Sequence, residues 1–155
     1  MTGTVKLAVT RRDRLYALIS AITFVIAMTQ PAYYQTRSGE TVIGSAMCLK
    51  IGAMGLLAGY FEWIANPLLL FSWIAAICGR RYQAAISSTI ALIFIASFLF
   101  RSKMTYPLYQ RESTVPIVGH GLGYWLWMLS AAIMVVGFYR AFIEQRRSLT
   151  KPETT

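Results

Sequence analysis

The apolar residues of this chain come in blocks. Stretches 15–29, 60–78, 84–100 and 120–143 are nearly unbroken runs of Leu, Ile, Ala, Phe, Met and Trp. They follow neither the one-face period of an amphipathic helix nor the alternation of a half-buried strand. A bilayer span needs about 20 mostly apolar residues. Blocks near this length predict spanning helices rather than a soluble core or an outer-membrane barrel.

The segments between blocks predict connections. Segment 30–42 opens with Pro31, which stops the first helix, and holds a Ser38-Gly39 turn. Segment 101–119 carries Pro107, Pro116 and the Arg111-Glu112 pair and reads as a second loop. Tyr33, Tyr34, Tyr106 and Tyr109 suit a membrane interface. Segment 79–83 is a short basic turn. The expected fold is an all-α, integral-membrane four-helix bundle forming a single domain over residues 1–155. A basic start before block 15–29 also fits a signal peptide. Ala27 and Thr29 make a poor cleavage site, so an uncleaved first span is the expectation.

Stretch 43–59 is ambiguous. As a span it would place Lys50 at its centre, which costs about 2.5–3.5 kcal/mol on insertion scales. It runs into 60–78 without an evident turn. It reads as an interfacial or re-entrant helix, or as an extension of the second span bent at Pro67. Its small residues are spaced for close packing: Gly44, Cys48 and Gly52 four apart, and Gly55 with Gly59 as a GxxxG pair. Packing within the chain explains them more simply than a dimer face.

Composition agrees with the blocks. The chain is 56% hydrophobic and 14% charged, against about 25% charged in soluble domains, and its mean hydropathy is +0.51. The net charge of +9 does not point to nucleic acid, because the cations lie between apolar blocks, where they set topology. With the N-terminus inside, ten of them (Lys6, Arg11, Arg12, Arg14, Arg80, Arg81, Arg140, Arg146, Arg147, Lys151) fall on the inner side. Five (Arg37, Lys50, Arg101, Lys103, Arg111) fall outside, in longer segments. Both termini are therefore expected in the cytoplasm.

Candidate chemistry is sparse. Cys48 and Cys78 are too few for a disulfide framework or a four-ligand zinc site. His120 is the lone histidine. No phosphate loop, CxxC, HExxH or GxSxG motif occurs. Nothing ties Ser45 or Ser130 to His120 as nucleophile and base. No cofactor is expected. Glu62 and Asn66 differ: four residues apart, they share a helix face. An acid within a span is costly and faces the bundle. Lys50, Arg101, Lys103 or His120 could reach it, so Glu62, Asn66, Lys50 and His120 form a candidate intramembrane polar cluster. A structural clamp is favoured over a proton- or ion-linked site. Trp125 and Trp127 read as an aromatic belt, with ligand stacking as the alternative.

Two strings, WIANPLLLFSWIAAICGRR and GYWLWMLS, resemble a set of small, uncharacterised four-span bacterial inner-membrane proteins. That set shares an Ala-Asn-Pro-Leu core in span 2 and a Gly-Tyr-x-Leu-Trp start to the last span. The resemblance implies a bacterial plasma membrane and a four-span architecture, and no activity. The expected function is non-enzymatic: helix–helix binding to another membrane protein, in an accessory or immunity-like role. The immunity analogy is one of architecture alone. The alternative is a subunit of an oligomeric ion or small-solute transporter or channel using Glu62. Expected partners are the lipid bilayer and a membrane protein or a second copy of the chain.

Overall fold

The structure, a computed structural model, describes residues 11–36, 40–106 and 113–149. The Ser38-Gly39 turn, Pro107, Tyr109, the Arg111-Glu112 pair, Lys6, Arg37 and Lys151 lie outside the described residues. Four helices stand side by side: α1 (Arg11–Met28), α3 (Ala65–Ile77), α4 (Arg81–Ser97) and α5 (Leu122–Leu149). A shorter helix, α2 (Ser45–Gly55), lies at one end. Helix α1 packs along α5, α5 along α4 and α4 along α3, and α3 touches α1 to close the ring.

Small and hydroxylic side chains face inward. Ser20, Ser72, Ser88 and Ser130 are fully buried, with Ala65, Ala76, Ala84, Ala91 and Ala131. Such residues let helix backbones approach closely. The larger side chains of this core, among the described residues, are Leu69, Ile95, Tyr124, Met134 and Phe138. Large apolar side chains point out from all four helices, including Leu18 and Val25, Phe71 and Ile74, Ile86 and Ile93, and Leu129 and Val136.

Hydroxyls tie the helices together. Trp73 Nε1 donates to Ser20 Oγ at 2.9 Å, and Ser20 Oγ donates to the Ser130 carbonyl at 2.7 Å, linking α3, α1 and α5. Ser72 donates to the Ala84 carbonyl at 3.0 Å, and Ser87 to the Leu68 carbonyl at 2.6 Å. Ser88 and Thr89 bond back to the Ala85 carbonyl within their own helix. Gly79 (φ 76°) turns α3 into α4 in a left-handed conformation that suits glycine.

The other end carries a sheet, which corrects the all-α expectation. The segments read as loops hold β1 (Pro31–Thr36), β2 (Glu40–Gly44), β3 (Lys103–Tyr106) and β4 (Ser113–His120). The strand order is β2-β1-β4-β3, with antiparallel pairing throughout. Tyr33 opposes His120 and Tyr34 opposes Gly119, so the sheet joins the two connections of the chain. The register slips between Tyr34 and Gln35, because Val118 is left as an extra residue on β4. Pro116 sits beside this irregularity, where a missing donor is tolerated.

Stretch 43–59 and the second span also need correction. Ile43 and Gly44 belong to β2, and only 45–55 is α-helical. A tight turn at Leu56–Ala58 ends at Gly59 (φ 77°), so a break does precede 60–78. A second tight turn, Phe61–Ile64, leads into α3. Pro67 lies in the first turn of α3, where its missing N–H is tolerated, rather than at a bend. Helix α5 starts at Leu122, not His120, and continues to Leu149. By length and composition, Arg81–Phe100 and Leu122–Arg140 are long and apolar enough to cross a membrane. Phe61–Ile77 is apolar but shorter and α1 is not among the candidates, so among the described residues two helices qualify as spans where four were expected.

Candidate functional site

A cavity of about 370 Å³ lies where the sheet and α2 meet the helix ends. Its wall takes Met28 from α1, Tyr33 from β1, Cys48 from α2, Asn66 from α3 and Tyr124 and Trp127 from α5. Met47, Met54 and Met104 add flexible apolar surface. The volume falls within the range of small-molecule pockets, about 300–1,000 Å³.

Glycines let these parts close on one another. A methyl at Gly123 would overlap the Ser45 hydroxyl and press on the Pro31 and Ala27 carbonyls, so α5 begins in tight contact with α2, β1 and α1. A methyl at Gly52 would overlap the Trp63 indole, whose Nε1 donates to the Leu49 carbonyl at 3.1 Å. Gly55 packs against Tyr60. Of the small residues of 43–59, Gly52 and Gly55 thus serve contacts within the chain. Gly59 lies in a turn and Gly44 at a strand end with open space around its Cα, so neither forms a helix face.

The predicted polar cluster is only partly assembled. Glu62 and Asn66 both line the cavity, and Glu62 is buried. The carboxylate pairs with Arg101, the one of the four candidate cations that reaches it in the described structure. Arg101 also donates through Nη2 to the Gly59 carbonyl at 3.1 Å and lies 4.6 Å from the Tyr60 ring centre. Lys50 is exposed on α2 and apart from this pair. His120 lies in an aromatic cluster, 5.5 Å from Phe98 and 4.7 Å from Tyr124 between ring centres. Its Nε2 and the Ser45 hydroxyl are both without a hydrogen-bond partner, so the two are not joined as nucleophile and base. Ser130 instead donates to the Trp127 carbonyl at 2.7 Å. Among the described residues no group of three His, Cys, Asp or Glu could hold a metal ion.

Sequence reasoning missed three features. The cavity depends on the sheet, and so was invisible. Two buried polar atoms of residues that line it, Ser45 Oγ and Trp127 Nε1, lack a hydrogen-bond partner, though neither atom is open to the cavity itself. At the opposite end Arg81 binds Asp13 through Nε at 2.8 Å and Nη2 at 2.7 Å, with Asp13 buried. A lone acid at the start of a basic segment was the available signal for that pair. Burial also pushes the Cys48 thiol up to about 11, leaving it a weak nucleophile at neutral pH. No family model, curated protein or solved structure matches this chain.

Proposed function

We propose that this chain is a four-span protein of a bacterial inner membrane, with both termini cytoplasmic and the sheet outside. It acts by binding, without catalysis, and the cavity beneath the sheet takes an apolar molecule from the outer half of the bilayer. The observation that carries this reading is the placement of polarity. Buried helix faces are mainly Ala and Ser with a few larger side chains, exposed ones are rich in Leu, Ile, Val and Phe, and the apolar cavity is lined by Tyr and Trp side chains. Water would select the opposite arrangement, whereas lipid tolerates large apolar side chains outside and small ones at helix contacts. Helices α1 and α3 pack beside the two longer apolar helices, which supports one depth for all four.

The ion pair supports the clamp over the transport alternative. Glu62 is engaged by Arg101, which also anchors the turn at Gly59. Gly52 and Gly55 meet Trp63 and Tyr60 within the chain, and Gly44 and Gly59 lie off the helix, so the spacing offers little helix face to a second membrane protein.

Two measurements test the reading. Reporter fusions after Arg81 and at the C-terminus should read cytoplasmic, and fusions near Gly39 and Thr114 external; an external signal after Arg81 overturns the topology. Native mass spectrometry of protein extracted in mild detergent should show a bound small molecule. Cys48→Phe should fill the cavity and remove it while the protein stays folded. A wild-type protein that never carries or accepts an apolar molecule defeats the binding reading.

A further inference from the structure

The open polar groups of the cavity wall narrow what it holds; this inference rests on the binding reading above. Several polar side chains on the wall are occupied or sealed. Trp63 donates to the Leu49 carbonyl, the Tyr124 hydroxyl donates to the Ile95 carbonyl, and Glu62 is engaged by Arg101. Ser45 Oγ and Trp127 Nε1 are closed off from the cavity. Asn66 is different. It lines the cavity from the first turn of α3 and is half-buried. Among the described residues its amide has no hydrogen-bond partner, yet both its polar atoms stay within reach of a water-sized molecule. An amide carries an acceptor oxygen and donor N–H groups on one planar group. This single side chain therefore sets a donor and an acceptor side by side. A wholly apolar body filling the cavity would strip water from the amide and leave it unpaired, which costs free energy. A ligand group that both donates and accepts restores the lost bonds. Charge limits that group further. Among the described residues no Lys or Arg lines the cavity, whereas the Glu62 carboxylate does, so an anionic head is disfavoured.

We propose that the cavity binds a lipid with a neutral hydroxyl head, which donates to the Asn66 amide oxygen and accepts from the Asn66 amide N–H. Two membrane sources share this chemistry: acylglycerols and polyprenols. The Met and aromatic wall accommodates either chain.

Cys48 lines the cavity and reports its occupancy. The full chain carrying Cys78→Ser is purified in detergent, and alkylation of Cys48 by iodoacetamide is followed at pH 9. Decane, methyl decanoate, decanol and sodium decanoate are compared as protecting agents. Decanol should protect at roughly tenfold lower concentration in the micelle than decane, since each of two hydrogen bonds contributes modestly. Methyl decanoate can only accept and should fall between them. Decanoate should protect least. Monodecanoylglycerol and farnesol then separate the two sources, and the one that protects at lower concentration identifies it.

Asn66→Leu and, separately, Asn66→Ala should bring decanol and methyl decanoate toward decane while decane still protects. That retained protection shows that each variant keeps the cavity. A preference for decanol that survives both substitutions would overturn the role of Asn66. Decane matching decanol in the chain with Asn66 intact would overturn the hydroxyl assignment and leave the binding reading standing. Methyl decanoate matching decanol would overturn the need for a donating head, and decanoate matching decanol the requirement for neutrality. If none of the four protects, the binding reading falls as well.

Discussion

The two ends of the helix bundle solve the same problem differently. At one end α3 turns into α4 through Gly79, and Asp13 and Arg81 join the starts of α1 and α4. The Asp13 side chain is 4% exposed and that of Arg81 14%. At the other end a sheet, a short helix and two tight turns cover the bundle, with Glu62 and Arg101 as the ion pair. There the Arg101 side chain is 33% exposed. The first end is closed by a short turn and a dry pair. The second is built from long segments that leave a cavity, and its pair pins a turn beside that cavity. A short connection limits what an end can enclose, whereas a long one can fold over it.

The largest expected effect comes from breaking the dry pair. Asp13→Ala removes the carboxylate from the Arg81 guanidinium, whose side chain is only 14% exposed, a loss of at most about 3–5 kcal/mol. Glu62→Ala should cost clearly less, because Arg101 reaches solvent and keeps the Gly59 carbonyl and the Tyr60 ring. Thermal unfolding in detergent compares the two. Equal losses would remove the distinction drawn between the ends.

A second contrast concerns the thiols. Cys48 lies at the capped end and Cys78 beside the turn, where it is exposed. Because burial disfavours the thiolate, Cys48 should alkylate about a hundredfold more slowly below pH 9 than a thiol at the ordinary value of 9.0. Its rate should climb about tenfold per pH unit and level off only above about 11. A rate for Cys48 that levels off near pH 9 would mean that the cap leaves the thiol in water.

The smallest effect is the most diagnostic for Glu62. Glu62→Gln keeps the shape and removes the charge, so a clamp should lose little. Polar contacts between membrane helices average about 0.6 kcal/mol and reach about 1.7 kcal/mol. Glu62→Gln that is as stable as wild type yet has lost ligand binding would show that the charge acts on the ligand rather than on the turn.

Local pattern determined much of this protein. The four apolar blocks became four helices, because each is a long run of helix-compatible apolar residues bounded by Pro, Gly or charged residues. Glu62 and Asn66 did reach one site, although Glu62 lies in the tight turn before α3 rather than on its face, and Arg101 was among the cations expected to reach the acid. For stretch 43–59 the interfacial, re-entrant and helix-extension readings all stayed open, and the left-handed Gly59 that divides it from the second block was not legible.

The sheet was decided only by tertiary structure. Its strands are short, β4 contains Pro116, and its outward positions include Val42 and Val118, so residue types do not alternate with exposure. Strand β1 pairs with β4, more than 80 residues further along the chain, and no local window contains that pairing. The cavity follows from the same pairing, as does the isolation of the Ser45 and Trp127 donors beside it. The sequence supplies those donors, but whether each finds a partner depends on which distant segments the fold lays beside it.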